Sequence, residues 1–179
     1  MDFNNKIFWI TGASSGIGKA LALKLAEQNT KLILSSRNKE KLKEVKVLCK
    51  TPENVFILPL DLENYEELTP KVKEAIAFFG TIDVLINNGG VSQRSLAEKT
   101  HIHVDKKIID VNYLGTIALT KALLPHFKTH KKGHFVVVSS IVGKLGTPYA
   151  LVMRHQNMRC MVFLTVYVLR FLMRILKLL

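Results

Sequence analysis

Short apolar runs alternate with amphipathic segments along most of the chain. The apolar runs predict five buried strands, at residues 7–10, 31–36, 54–60, 82–86 and 134–139. Between them, apolar residues recur at helical spacing and predict helices over residues 20–26, 38–50, 65–79 and about 103–126. Strands that alternate with helices in this way require βαβ crossovers and a parallel sheet. The pattern therefore predicts an α/β fold, a doubly wound sheet of the Rossmann type with about five strands.

A glycine-rich turn, residues 11–18, joins the first apolar run to the first helical pattern. Strand, glycine turn and helix are together the context of a nucleotide-binding turn. Gly12 would permit the tight turn, Gly16 would let the backbone approach a phosphate, and Gly18 would let the helix pack closely on the strand. The helix N-terminus would then face the anion. A solvent loop of small residues is the weaker alternative.

Two positions after the next strands bear on the choice of cofactor. Arg37 follows the second strand, where an acidic residue would bond a ribose 2′-hydroxyl and an Arg accommodates a 2′-phosphate. NADP(H) is therefore favoured and NAD(H) stays possible, with a solvated surface Arg as the alternative. Asp61 and Leu62 end the third strand, where an adenine ring would lie, although a turn or N-cap role is the stronger reading of Asp61 taken alone.

Polar residues also end the last two predicted strands. Residues 87–90, Asn-Asn-Gly-Gly, would hold neighbouring strand ends and let a cofactor approach, or they form a simple turn. Ser139 and Ser140 follow the fifth strand, where a hydroxyl would face a substrate carbonyl. Asn112 interrupts an apolar helix stretch, and it is either a functional amide or a bonded core amide.

Residues 4 to about 149 resemble the short-chain dehydrogenase/reductase family, with segments 87–96 and 112–116 most similar to its member 7 and 7B group. The resemblance implies an oxidoreductase that transfers hydride between a nicotinamide cofactor and a carbonyl or secondary alcohol. It implies that Ser140 orients the carbonyl and that Asn112 supports a proton relay. With the positions above, the predicted cofactor-binding residues are Gly12, Ser14, Ser15, Gly16, Ile17, Gly18, Arg37, Asp61, Leu62, Asn88 and Gly89.

The family's catalytic Tyr and the Lys four residues after it are missing, since the chain contains no Tyr-x-x-x-Lys. Met153 and Asn157 stand at the expected positions. A shifted reading frame over residues 152–158 permits Tyr-Glu-Ala-Ser-Lys-His-Ala and continues to permit family-like residues as far as Arg170. We therefore predict an incomplete dinucleotide-binding domain at residues 1–149 and an out-of-frame tail at residues 150–179, caused by a gene-model error, a splice variant or a frameshift.

The tail is apolar and basic, and it predicts an atypical C-terminal helix. Arg170, Arg174 and Lys177 would share one helix face. One interpretation is accidental codon usage, and the other is an amphipathic helix that contacts a membrane surface through residues 160–179. The tail is too charged to predict a membrane span. The segments that form the family's homodimer interface would be lost.

Composition adds few constraints. The formal net charge of +12 suits a cofactor with several phosphates, and the absence of aromatic-basic interleaving or zinc spacing argues against nucleic acid. Cys49 and Cys160 lie far apart and the histidines form no ligand set, which predicts no metal site and a reducing compartment. No signal-peptide pattern opens the chain, and we expect a cytoplasmic or endoplasmic-reticulum-associated location.

The missing Tyr and Lys divide the functional hypotheses. General acid/base catalysis contributes roughly 10²–10⁴-fold to rate, and this chain would forfeit at least that factor. The first hypothesis is an NADP(H)-preferring oxidoreductase that is inactive or impaired in this form. The alternatives are a catalytically inactive nucleotide-binding or interaction protein, and a truncated product without function.

Overall fold

The computed structural model describes residues 3–93 and 95–139. Ser140, Met153 and Asn157 lie outside these residues, as does the predicted tail helix of residues 150–179. The predictions for those positions therefore stay predictions. Within the part of the chain that is described, no helix is long and apolar enough to cross a lipid bilayer.

Five parallel strands form one sheet in the order β3-β2-β1-β4-β5. The strands are β1 (Ile7–Thr11), β2 (Lys31–Ser35), β3 (Val55–Ile57), β4 (Val84–Asn87) and β5 (His134–Val137). Strand order reverses between β1 and β4, as in a doubly wound Rossmann sheet. The predicted fold class is therefore confirmed.

Helices connect the strands and cover both faces of the sheet. They are α1 (Gly16–Ala26), α2 (Lys39–Leu48), α3 (Tyr65–Phe79), α4 (Ile102–Ile109) and α5 (Thr116–Thr129). Short 3₁₀ turns lie at Pro52–Asn54 and Ala97–Lys99, and a wider π turn, Asp110–Gly115, joins α4 directly to α5. The single long helix predicted over residues 103–126 is thus one continuous element with a π turn inside it.

Two boundaries differ from the sequence prediction for identifiable reasons. β3 has three residues rather than seven because Pro59 has no N–H to donate. The N–H groups of Leu58 and Leu60 still donate to the carbonyls of Leu34 in β2 at 2.9 Å and of Ser36 just after it at 3.1 Å. Pro125 does not end the long helix. α5 continues one more turn to Thr129, whose hydroxyl donates to the Pro125 carbonyl at 3.1 Å.

The centres of β1, β2 and β4 are apolar on both faces because each face packs against a different pair of helices. Alternate strand residues, such as Trp9 and Leu85, pack with α3 and α5 in one buried cluster. The residues between them, such as Ile10 and Leu32, pack with α1 and α2 in a second cluster. Trp9 and Ile10 are fully buried on opposite faces. A parallel sheet covered on both sides in this way leaves its carboxyl edge, where the strands end, as the accessible position for a site.

Candidate functional site

A cleft of about 430 Å³ opens at the carboxyl edge of the sheet, across the ends of β1, β2, β3 and β4. Open α/β sheets bind ligands at this edge, where the strand order reverses. Nine of the eleven residues predicted to bind a cofactor line it: Gly12, Ser14, Ser15, Ile17, Arg37, Asp61, Leu62, Asn88 and Gly89. The other two, Gly16 and Gly18, lie in the same turn but outside the lining.

Glycines let the first turn fit against the loop after β4. Gly12 has φ +65°, and a Cβ there would stand 2.8 Å from the Cα of Gly89 and 2.9 Å from the Asn88 side-chain nitrogen. Gly18 is buried, and a Cβ there would overlap the Gly12 carbonyl. These two positions bring α1, the glycine turn and the β4 loop into contact, so that they form one wall of the cleft.

The amino end of α1 is open toward solvent. Ser15 is the N-cap residue, but its side chain makes no capping hydrogen bond, and the first turn contains no acidic residue. Gly16, the first helical residue, has φ +52°, and a Cβ there would meet open space. The unpaired N–H groups and the positive end of the helix dipole are therefore neither capped by Ser15 nor neutralised, which suits an anion.

Thr11 and Asn88 tie β1 to β4 at the wall of the cleft. The Thr11 hydroxyl oxygen accepts hydrogen bonds from the N–H groups of Asn88 at 3.0 Å and Gly89 at 2.9 Å. In return, the Asn88 side-chain amide donates to the carbonyls of Thr11 at 3.0 Å and Gly12 at 3.2 Å. Both side chains thus bond backbone groups of the opposite strand end, and these hydrogen bonds between β1 and β4 involve only neutral groups.

Two cations lie at the β2 end of the cleft. Arg37 and Lys41 both line it, and both are exposed. Asn38, between them, caps α2 by accepting a hydrogen bond from the Lys41 N–H at 3.0 Å, which places Lys41 in the first turn of the helix. In residues 3–93 and 95–139 neither cation makes an ion pair.

Asp61 and Leu62 form the wall after β3. The Asp61 carboxylate accepts a hydrogen bond from the Glu63 N–H at 3.1 Å, so the turn role considered for this residue is present while the residue also lines the cleft. Leu62 is buried. It fills the space beside Gly89, where a Cβ would stand 2.9 Å from the Leu62 Cδ1 atom. Leu62 thus brings the β3 loop against the β4 loop.

Asn112 lies in the π turn and is bonded through both ends of its amide. Its oxygen accepts from the Val91 N–H at 2.7 Å, and its nitrogen donates to the Val91 carbonyl at 2.8 Å. The bonded-amide alternative is therefore what the structure shows for the side chain. π turns occur frequently at functional sites, and this one also contributes Val111 to the cleft.

Of the two serines predicted to follow β5, the structure describes Ser139. Ser139 is exposed, two residues beyond the end of β5. Ser140 lies outside the described residues, so the structure does not relate it to Asn112. Among the residues that are described, no group of three or more His, Cys, Asp and Glu side chains is arranged to hold a metal ion.

Half of the cleft lining was not among the eleven predicted cofactor-binding residues, although Thr11 and Gly90 belong to the segments 11–18 and 87–90 that were predicted to approach a cofactor. The additional residues are Thr11, Ser35, Ser36, Asn38, Lys41, Leu60, Gly90, Val91 and Val111. Lys41 carried a usable signal, since it is a cation in the first turn of the helix that begins two residues after Arg37. Val111 carried none, because an apolar residue in an amphipathic helix is read as core.

Comparison with known proteins gives one consistent family. The sequence model of a family described as short chain dehydrogenase matches residues 6–152. The chain is 41% identical over 155 residues to human dehydrogenase/reductase SDR family member 7, covering 84% of this chain and 46% of that protein. It is 37% identical over 150 residues to member 7B of Mus musculus, covering 81% and 46%. The chain spans about half the length of the curated relatives it matches.

Solved structures agree with the fold. A short chain dehydrogenase/reductase from Burkholderia phymatum, solved in complex with NAD, superimposes with a TM-score of 0.84 at 24% identity and covers 94% of this chain and 60% of that chain. A short-chain dehydrogenase from Streptomyces avermitilis gives a TM-score of 0.82 at 27% identity, covering 89% and 58%. The likeness to both proteins extends over nearly all of the present chain.

Proposed function

The chain belongs to the short-chain dehydrogenase/reductase family, a family of oxidoreductases, and we propose that its carboxyl-edge cleft binds NADP(H). The observation that carries this proposal is one cleft that combines an open helix amino end with two cations, neither of which forms an ion pair within the part of the chain that the structure describes. The helix end suits a pyrophosphate, and the cations suit a further phosphate. The residues present therefore fit a phosphorylated dinucleotide.

The preference for NADP(H) over NAD(H) rests on the β2 end of the cleft. No acidic residue stands among residues 35–41 that line it, so nothing there matches a ribose 2′-hydroxyl in the usual way. Arg37 offers a planar fork of donors, and Lys41, in the first turn of α2, offers an ammonium group that lines the same cleft. Together they favour a ligand with an additional phosphate. Asp61, an acid in the lining, already accepts a hydrogen bond from the Glu63 N–H through one of its carboxylate oxygens.

The chemistry of the proposed reaction follows the family. A bound nicotinamide ring supplies a hydride donor or acceptor for a carbonyl or a secondary alcohol. Of this chain's residues, we assign Ser140 to polarising the carbonyl and Asn112 to supporting a proton relay. Because both ends of the Asn112 amide bond the backbone of Val91, Asn112 would support that relay by holding the π turn and residue 91 in a fixed relation beside the cleft.

Catalysis by this chain is proposed to be weak. Proton transfer to the substrate oxygen needs a positioned acid, and the sequence has no Tyr-x-x-x-Lys to supply one. A chain with an intact cofactor cleft and no general acid would behave as a nucleotide-binding protein with little turnover. This second function is favoured by that single feature of the sequence.

Fluorescence titration of the purified chain with NADPH and NADH tests the binding proposal. We expect NADPH to bind more tightly than NADH. Arg37→Gln and Lys41→Gln should each weaken NADPH about tenfold, the size of one charge-assisted hydrogen bond, and leave NADH nearly unchanged. Lys39→Gln is the matched control, because Lys39 lies on the same helix and does not line the cleft. Equal affinities for the two cofactors in the wild type would contradict the preference.

Turnover assays separate the enzyme from the nucleotide-binding protein. We expect NADPH oxidation with ketones, steroids and retinoids to be at or near background. A measurable rate that disappears in Ser140→Ala would show that this chain catalyses the reaction and would contradict the proposed impairment. NADPH binding without such a rate supports the nucleotide-binding function.

A further inference from the structure

A polar cluster lies directly behind the apolar wall of the cleft. Asp110, the first residue of the π turn, is buried, and its carboxylate accepts a hydrogen bond from Lys106 Nζ at 2.5 Å. The hydroxyl of Tyr65, at the start of α3, lies near the same carboxylate, and partial burial together with that carboxylate raises the pKa of the hydroxyl. Beside them, Lys107 Nζ lies 3.4 Å from a carboxylate oxygen of Glu63. The cluster joins the loop after β3 to the helix that contains the π turn.

Each segment in the cluster is adjacent in sequence to a residue of the cleft lining. Leu62 precedes Glu63, and Val111 follows Asp110; both apolar residues line the cleft. The two segments are also in direct contact, since a Cβ at Gly115 would stand 2.7 Å from the Leu62 Cβ. Movement of the π turn relative to the β3 loop would therefore change the distance between Leu62 and Val111.

The π turn requires support from outside its own backbone. An α-helix fixes each residue by a regular hydrogen bond to the fourth preceding carbonyl, whereas a π turn interrupts that pattern. At the junction the Asp110 N–H is shared between the carbonyls of Lys106 and Lys107. Its side chain accepts a hydrogen bond from Lys106 of α4 and lies near Tyr65 of α3, so that one buried carboxylate supports the place where the helix changes pitch.

We propose that Tyr65, Lys106 and Asp110 are positioning residues that hold Leu62 and Val111 at the spacing required by the adenosine half of the cofactor. This inference rests on the proposed binding of NADP(H). It gives a role to a buried carboxylate, Asp110, and to the more exposed Lys106 and Tyr65 beside it, none of which lines the cleft. Lys106 and Tyr65 hold the Asp110 side chain in place, and Asp110 in turn fixes the position of its neighbour Val111.

The ionisation of the cluster is stable around neutral pH. The hydrogen bond from Lys106 keeps the pKa of Asp110 below its usual range, although burial opposes it. Burial and the Asp110 carboxylate raise the pKa of Tyr65 to about 12. Tyr65 therefore remains a donor and Asp110 an acceptor wherever cofactor binding is measured.

The test is a titration of the full chain with NADPH and, separately, with adenosine 2′,5′-bisphosphate, which carries only the adenosine half. Asp110→Asn, Lys106→Gln and Tyr65→Phe should weaken both ligands by the same factor, about threefold to tenfold, as expected for the net loss of one ordinary hydrogen bond. Lys106→Arg keeps the cation and should retain most of the affinity. The matched control is Glu74→Gln, which breaks a lysine–glutamate pair on the outer surface of α3.

Hydrogen exchange provides a readout that does not depend on the ligand. In Asp110→Asn we expect faster amide exchange in the peptides that contain residues 60–66 and 108–116, with unchanged exchange in β1. Lys106 is largely exposed, so Lys106→Gln should fold even if the Asp110 variant does not. Wild-type affinity in the folded Lys106→Gln and Tyr65→Phe variants would overturn the inference. Failure of the wild type to bind NADPH would instead overturn the proposed function.

Discussion

The two edges of the sheet are held together by different interactions. At the carboxyl edge, Thr11 and Asn88 bond backbone groups, and no charge is used. At the amino edge, where the strands begin, the buried Asp83 carboxylate accepts from the Ile7 N–H at 3.0 Å and pairs with Lys132 at 2.7 Å and Lys6 at 3.9 Å. The amino edge is thus closed by its own charges.

The difference explains why only one edge is open to an anion. Cations at the amino edge already share a carboxylate, whereas Arg37 and Lys41 have no carboxylate partner in the residues that the structure describes. At the carboxyl edge, neutral hydrogen bonds and close contacts at glycines hold the loops together and leave the cleft between them open. The amino edge therefore contributes to stability and the carboxyl edge to binding, and substitutions at the two edges should have separable effects.

The largest effect is expected from Gly12→Ala at the carboxyl edge. The new Cβ would collide with Gly89 and Asn88 and would hold a positive φ, which together should cost about 4 kcal/mol of unfolding free energy. Urea denaturation measures this loss, and NADPH titration of the folded fraction should show no binding. Tight NADPH binding by this variant would show that the cleft does not depend on the close approach.

A smaller effect, confined to stability, is expected from Asp83→Ala at the amino edge. Removing the carboxylate leaves the Ile7 N–H without its acceptor and should cost about 2 kcal/mol. Burial raises the pKa of Asp83, but the bonds from Lys132 and Ile7 outweigh it and lower the pKa below 3.8. The stabilisation by the ionised carboxylate is therefore fully present above pH 3.8, and it is lost as the pH falls through the lowered pKa of Asp83.

Two measurements check the Asp83 prediction. Denaturant midpoints of wild type and Asp83→Ala should differ at pH 7 and converge in acid, whereas their affinities for NADPH at pH 7 should agree. An Asp83→Ala variant with normal stability and weakened NADPH binding would contradict the proposal that the amino edge contributes to stability and the carboxyl edge to binding.

The smallest effect concerns His126, which connects α5 to the start of β4. The Ile82 N–H donates to its Nε2 atom at 3.3 Å, an arrangement that requires the neutral ring. Burial and the neighbouring His130 lower the pKa of His126 below 6.5. As the pH falls, His126 is therefore protonated in the unfolded chain before it is protonated in the folded chain. The free energy of unfolding should fall as the pH drops below about 6.5 and level off below the lowered pKa of His126.

A comparison with His126→Gln isolates this contribution, because Gln keeps an acceptor and does not titrate. Urea midpoints at pH 7.5 and 5.5 should fall more for the wild type than for the variant, and by less than the loss caused by Asp83→Ala. An identical pH dependence in the two proteins would assign the acid sensitivity to other groups.

The sequence predicted the strand ends well because buried strands and glycine turns are local features. Residues 11–18 and 87–90 each follow an apolar run, and parallel strands bring such ends to one edge. The resemblance to the short-chain dehydrogenase/reductase family, and to its member 7 and 7B group, is confirmed by the family match and the relatives. The division at residue 149 and the roles of the site residues stay predictions.

Features that depend on contacts between distant elements could not be predicted. A π turn shifts the hydrophobic pattern of a helix by only about one position, which an amphipathic pattern does not distinguish from a single irregular residue, so the turn at Asp110–Gly115 was not predicted. The double bond between Asn112 and Val91 depends on that turn. The pairing of Lys132 with Asp83 likewise joins residues that are distant in sequence.

The π turn sets the rotational phase of the long helix. One residue of an α-helix accounts for about 100° of rotation, so deletion of a single residue between 110 and 115 would turn α4 by about that angle relative to α5. Ile108, now buried, would then rotate toward solvent, and the exposed Ile102 would change its direction with it. The length of this segment is therefore constrained more tightly than its composition, and homologous chains should tolerate substitutions here more readily than insertions or deletions.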